Sequence, residues 1–215
     1  MAAALAAGSM LVTPVSAQRG RGGAAAAPAG PPTAIKLEVM EGSKALYRVR
    51  EQLAGISFPS DAVGSTSTIT GAIVIKADGA IDPAQSKISV DLRTLKSDQD
   101  MRDGYMQGDR GLNTKMFPMA EFVPKKAVGM PWPFPGGMQA QAGFQLVGDM
   151  TIYGNTSEAT WNVVATFGAQ QVAGRATTEF PFTKFSIPKP QLARIVSVDD
   201  TIHLELEMRL RRTPM

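Results

Sequence analysis

The chain has no cysteine. Disulfides, thiolate metal sites, a cysteine nucleophile and a lipoprotein-type acylated cysteine are thereby excluded. There is a single histidine, His203, so a zinc or copper cluster of the usual donors cannot be assembled. Excess charge is scarce as well. The formal net charge is +3, and two of the excess positives, Arg19 and Arg21, lie near the N-terminus, which leaves the rest almost neutral. A nucleic-acid binder shows a basic stripe, and this balance argues against nucleic acid as a partner. Long apolar runs are missing too: Met1 to Val15 is small and apolar, but too short and too weakly hydrophobic for a membrane span.

Catalytic groupings are equally thin. His203 stands between polar neighbours on an alternating stretch and reads as a solvated residue. Asp98, Asp100, Asp103 and Asp109 gather in sequence, but the spacing lacks the rest of a calcium loop, and capping of a helix start accounts for the first two. No serine or aspartate dyad is marked. The expectation is a protein that is not an enzyme, with no catalytic residue, no metal and no cofactor.

What the chain does have is turn-formers and alternation. Its 215 residues include 21 Gly and 15 Pro, which suits one domain of many strands separated by turns. Residues 1–17 read as a signal peptide, with small Val15 and Ala17 before a cleavage point at Gln18, although a basic n-region is lacking. Residues 18–34 are low-complexity Gly, Ala and Pro, expected to be a flexible linker. The domain proper is expected over residues 35–215.

The clearest stretch is Gly143 to Phe167. Phe144, Leu146, Met150 and Ile152 share one parity, then Trp161, Val163, Ala165 and Phe167 alternate with Thr160, Asn162, Val164 and Thr166. Successive strand side chains face opposite ways, so this is a half-buried hairpin turning near Gly154-Asn155-Thr156-Ser157. Elsewhere, Ile35 to Glu41 reads as an edge strand, Leu46 to Leu53 as a strand of mixed parity, and Ser65 to Ala77 as one strand before an Asp78-Gly79 turn. Ile88, Val90 and Leu92 alternate next. Strands are also expected at Ala120 to Val123, Val172 to Phe180 and Ile202 to Leu210. Ser97 to Leu112 breaks the rhythm and predicts a short helix, with Ser97 as its cap. Met130 to Gly137 reads as a stiff, exposed aromatic loop. Many strands, one short helix and no βαβ pattern predict an all-β fold, an antiparallel barrel or sandwich, with closure favoured because it hides strand edges.

Parity assigns the inward face to Ile73, Ile88, Val90, Phe122, Phe144, Leu146, Met150, Trp161, Val163, Leu204 and Leu206. An eight-stranded barrel sits at the size where such a face either fills the interior or lines a site for one ligand.

Gly148-Asp149-Met150-Thr151-Ile152-Tyr153-Gly154-Asn155-Thr156 resembles the glycine–acid–leucine–threonine–hydrophobic–x–glycine–x–threonine signature of the YceI-like family. Leu112 to Phe122, Leu92-Arg93-Thr94-Leu95, Arg102-Asp103, Gly64 to Gly71 and Asp199 to Leu204 are similar to its other motifs, in the same order. The resemblance spans about Ala45 to Leu210. It implies a single lipocalin-like antiparallel β-barrel of about eight strands with one short helical crossover. It further implies a periplasmic or secreted protein whose lumen holds a polyisoprenoid or quinone-like lipid, and a homodimer as in some members. A membrane surface is then the expected donor or acceptor. Arg102 is the head-group candidate, since guanidinium pairs well with phosphate; an uncharged quinone head would not need it. Departures are a longer stretch between Arg102 and Phe117, Ser57-Phe58-Pro59-Ser60 where the family has a histidine, and the Pro-rich segments Met130 to Gly137 and Pro188 to Pro190. Two other readings stand beside this one. One is an interaction module with a filled core that docks partners through Trp132-Pro133-Phe134. The other is an enzyme acting on bound lipid, which would need an acid or base on the inward parity, where none is evident.

Overall fold

A computed structural model describes residues 32–135, 140–191 and 195–215. The expected signal peptide and most of the linker fall outside these. Among the described residues the chain forms β1 (Ile35–Val39), β2 (Lys44–Leu53), β3 (Ser60–Thr66), β4 (Ile69–Ile75), β5 (Lys87–Asp91), β6 (Lys96–Ser97), α1 (Asp100–Gln107), β7 (Met119–Val128), β8 (Ala140–Ile152), β9 (Asn155–Phe167), β10 (Gln171–Pro181) and β11 (Ile195–Pro214).

Every pairing is antiparallel. The order β1-β4-β5-β7-β8-β9-β10-β11 returns to its start through a β1–β11 pairing, so eight strands close into a barrel. At one end the wall is extended. The long β11 pairs with β1 through residues 210–214 and with β2 through residues 195–207, while β3 continues the wall beside β2. Because β1 is hydrogen-bonded on both sides, it is not the edge strand that its position in the sequence suggests. Closure spends its free edge.

The β8–β9 hairpin is as the alternation predicts. Ala159, Trp161, Val163, Ala165 and Phe167 are buried, and Glu158, Thr160, Asn162 and Val164 are exposed. Its turn lies slightly earlier than expected, at Tyr153 (φ 53°) and Gly154 (φ 73°), two positive-φ positions in succession. That geometry suits the twist of a tight hairpin. The single strand expected from Ser65 to Ala77 is two strands, interrupted at Ser67 and Thr68, where the Thr66 hydroxyl accepts from the Thr68 N–H. The Asp78-Gly79 turn forms, closed by Lys76 N–H donating to Ala80 O (2.8 Å), but a 3₁₀ turn at Pro83–Gln85 precedes β5.

The two ends of the barrel differ. At the end holding the β9–β10 connection, the segment Met130–Pro135 folds inward instead of standing exposed. Phe134 is buried against Phe167, with ring centroids 4.5 Å apart, and the Arg212 guanidinium lies over its ring at 5.4 Å. The Trp132 indole donates to Ala77 O at 2.9 Å. Pro-rich sequence looks like a linker, but an apolar barrel end must be covered, and these aromatics cover it. They are a stopper. At the opposite end lie α1, the 3₁₀ turn Phe182–Phe185 and the Ile187–Pro190 segment.

Helix α1 begins at Asp100, not at Ser97. The Ser97 hydroxyl accepts from Gln99 N–H, and the buried Asp103 carboxylate accepts from Ser97 N–H at 2.8 Å. Burial works against the Asp103 charge, but its hydrogen bonds with Ser97 and the nearby Lys96 ammonium hold the carboxyl below the ordinary value.

Candidate functional site

Between stopper and helix the barrel is hollow. A cavity of about 950 Å³ runs from the middle of the lumen to the α1 end. Its size is at the upper end of the roughly 300–1,000 Å³ typical of small-molecule sites. Two of its lining residues, Ile56 and Met101, are also strongly exposed, which marks the mouth. The walls are mainly aliphatic and aromatic side chains of β2, β5, β7, β8, β9 and β11, and they exclude water from whatever enters.

Seven of the eleven residues assigned inward by parity line this cavity: Ile88, Val90, Phe122, Met150, Trp161, Leu204 and Leu206. The other four, Ile73, Phe144, Leu146 and Val163, sit lower, around a separate void of about 80 Å³ beside the stopper. Ile88, Phe122, Trp161 and Leu206 face both spaces, so their layer forms the floor of the larger one. The Phe122 and Trp161 rings pack at 6.0 Å there.

Arg102 does line the cavity, and it is not free. Its guanidinium donates to Glu51 Oε1 at 2.8 Å and also to Asp98. Burial lowers the Arg102 pKa, but the bonds to Glu51 and Asp98 outweigh it and raise the net value. Glu51 is the acid that parity reasoning overlooked. Ala45, Tyr47, Val49, Glu51 and Leu53 all point into the barrel from β2. A carboxylate among apolar side chains made the strand look mixed, although its position two residues from Val49 and from Leu53 was the available signal. Removing one member of such a buried pair leaves an uncompensated charge, so this contact ties α1 to the wall.

Two further polar groups at the cavity are buried without a hydrogen-bond partner, the Tyr47 hydroxyl and the Trp161 indole N–H. Tyr47 lies over Gly64, where any Cβ would fall 2.2 Å from its ring. Burial pushes the Tyr47 phenol well above its ordinary value; the Arg102 charge offsets this in part, while Asp103, Glu51 and Asp98 add to it. A raised acid pKa stabilises the fold fully below the unfolded value near 10, and that contribution is lost as the pH rises past it. Wild-type protein should therefore lose more stability between about pH 9 and about pH 11 than Tyr47→Phe does. Urea midpoints of the two proteins at both pH values check this; parallel losses would mean that the phenol is not the source.

His203, on the outer face, pairs with Glu179 at 3.1 Å and is half exposed. Among the described residues, no cluster of three or more His, Cys, Asp or Glu is placed to hold a metal ion.

With fold and cavity in place, similarity to known proteins is informative. A polyisoprenoid binding domain from Saccharophagus degradans, implicated in plant cell wall breakdown, superimposes with a TM-score of 0.63 at 11% identity, covering 84% of this chain and 99% of that one. Burkholderia cenocepacia BcnA gives 0.57 at 15% identity over 81% and 99%. The Campylobacter jejuni YCEI protein gives 0.57 at 15% over 74% and 90%. At such identities the likeness speaks to the fold. No curated protein sequence matches. The YceI-like domain model, however, matches residues 41–210, most of the chain, and with the closed eight-stranded barrel this places the protein in the YceI-like family.

Proposed function

We propose that the barrel takes up one polyisoprenoid-type amphiphile and shields it from water, as an exported, non-enzymatic lipid-binding protein of the periplasm or the exterior. The observation that carries this reading is the cavity of about 950 Å³, apolar-walled and open at one end. Each methylene moved from water into such a space gains up to about 0.8 kcal/mol, less the cost of ordering the chain. The polyisoprenoid-binding relative supports the chemical class. Ile56 and Met101 at the mouth, with Phe58 two residues after Ile56 and Val196 beside the Ile195–Leu53 pairing, form exposed apolar surface that suits a membrane as donor or acceptor.

The filled-core alternative is disfavoured by the hollow lumen and by the inward fold of Trp132 and Phe134. The enzyme alternative now has an acid in the lumen, but the Glu51 carboxylate is held by Arg102. Native mass spectrometry of protein purified from its own host tests the proposal. The expected result is one co-purifying species of isoprenoid mass per chain. A clean apo mass, together with no uptake of an added polyprenol, overturns it.

A further inference from the structure

We infer that the layer formed by Ile88, Phe122, Trp161 and Leu206 is a tail stop, which fixes the greatest length of isoprenoid chain that the barrel can bury. This deepens the lipid-binding reading and rests on it.

The stop is built from four strands: Ile88 stands on β5, Phe122 on β7, Trp161 on β9 and Leu206 on β11. Ile88 is directly opposite Phe122 in the β5–β7 ladder. The Phe122 and Trp161 rings meet across the intervening β8 at 6.0 Å. Ile88, Phe122 and Trp161 are 3%, 6% and 3% exposed, although each has the large cavity on one side and the small void on the other. Ring-sized side chains anchored on hydrogen-bonded strands and packed on one another do not part easily for a flexible chain.

Beneath the stop, the described residues leave no room for a further unit. The void there is about 80 Å³. At about 30 Å³ per carbon, the share of a water molecule in the liquid, one isoprene unit needs roughly 150 Å³. The chain's own aromatics fill the rest of that end: Phe134 packs on Phe167 at 4.5 Å, and Trp132 on Phe134 at 5.3 Å. The stopper thus occupies the volume that a longer tail would take. Above the stop, the cavity of about 950 Å³ accommodates on the order of thirty carbons by the same measure, roughly six isoprene units with the head included. Units beyond these stay outside and add little, because only surface removed from water is stabilising.

The test is a length series of polyprenols, from farnesol to undecaprenol, each measured by displacement of dansyl-labelled geraniol. Wild-type affinity should climb roughly tenfold or more with each added unit and level off near about six units. Trp161→Leu frees the space of about six heavy atoms and should move the plateau outward by about one unit. Leu206→Trp adds about as many and should move it inward by about one. Phe134→Ala alone should leave the plateau in place, since the stop still stands; added to Trp161→Leu, it should carry the plateau further out. An unchanged plateau in both Trp161→Leu and Leu206→Trp overturns the inference, because a merely structural role would weaken all lengths alike. Wild-type affinity still rising through undecaprenol overturns it too, and that series needs no variant to fold. If no polyprenol of any length binds, the lipid-binding reading itself falls, and the tail stop with it.

Discussion

Leu204→Trp is expected to reduce affinity for a long-chain lipid roughly a thousandfold while the barrel stays folded. Leu204 points inward from β11 yet is only half buried, because the cavity itself is accessible to it. An indole there adds about six heavy atoms to the lumen and displaces a similar number of chain carbons. At about 0.8 kcal/mol per methylene that is roughly 4–5 kcal/mol of binding free energy, or about three decades in Kd. The added ring enters empty space, so overpacking is small compared with the same change in a filled core. Lipid titration beside thermal denaturation reads both halves of the expectation. Undiminished affinity in a folded variant would place the lipid somewhere other than this lumen.

Gly71→Ala should be the most damaging small substitution in the wall. Gly71 has φ +122°, and a Cβ would fall 1.9 Å from the Lys87 carbonyl oxygen on the paired strand. Backbone strain of roughly 1–3 kcal/mol adds to an overpacking cost of similar size. A total of about 4 kcal/mol in a chain of this length lowers Tm by roughly 10 °C. Gly143→Ala is the matched comparison in the same barrel, since a Cβ there meets only Val163 O at 3.9 Å. Equal melting temperatures for the two variants would mean that the β4–β5 crossing relaxes more easily than its geometry indicates.

How much was readable in the sequence varied with how one-sided each strand is. β9 alternates with one exception, the outward-facing Val164, and its parity gave Trp161 and Val163 their inward direction directly. β2 carries Glu51 on the parity of Ala45, Tyr47 and Val49 and apolar Leu46 on the other, so hydropathy alone could not orient it, and the polar corner went unseen. Parity also says which face a side chain takes but not how far along the barrel it lies. That is why Ile73, Phe144, Leu146 and Val163 point inward yet belong to the small void beside the stopper. The Met130–Pro135 segment was unreadable for a different reason. What makes it fold inward is Phe167 and Arg212, both distant in sequence, and no local pattern reports them.

The stopper has a kinetic corollary. A tube blocked at one end has a single doorway, so the occupant and its replacement cannot pass one another. Exchange must then proceed by departure followed by arrival, and the turnover rate should level off at the speed of departure however much fresh lipid is supplied.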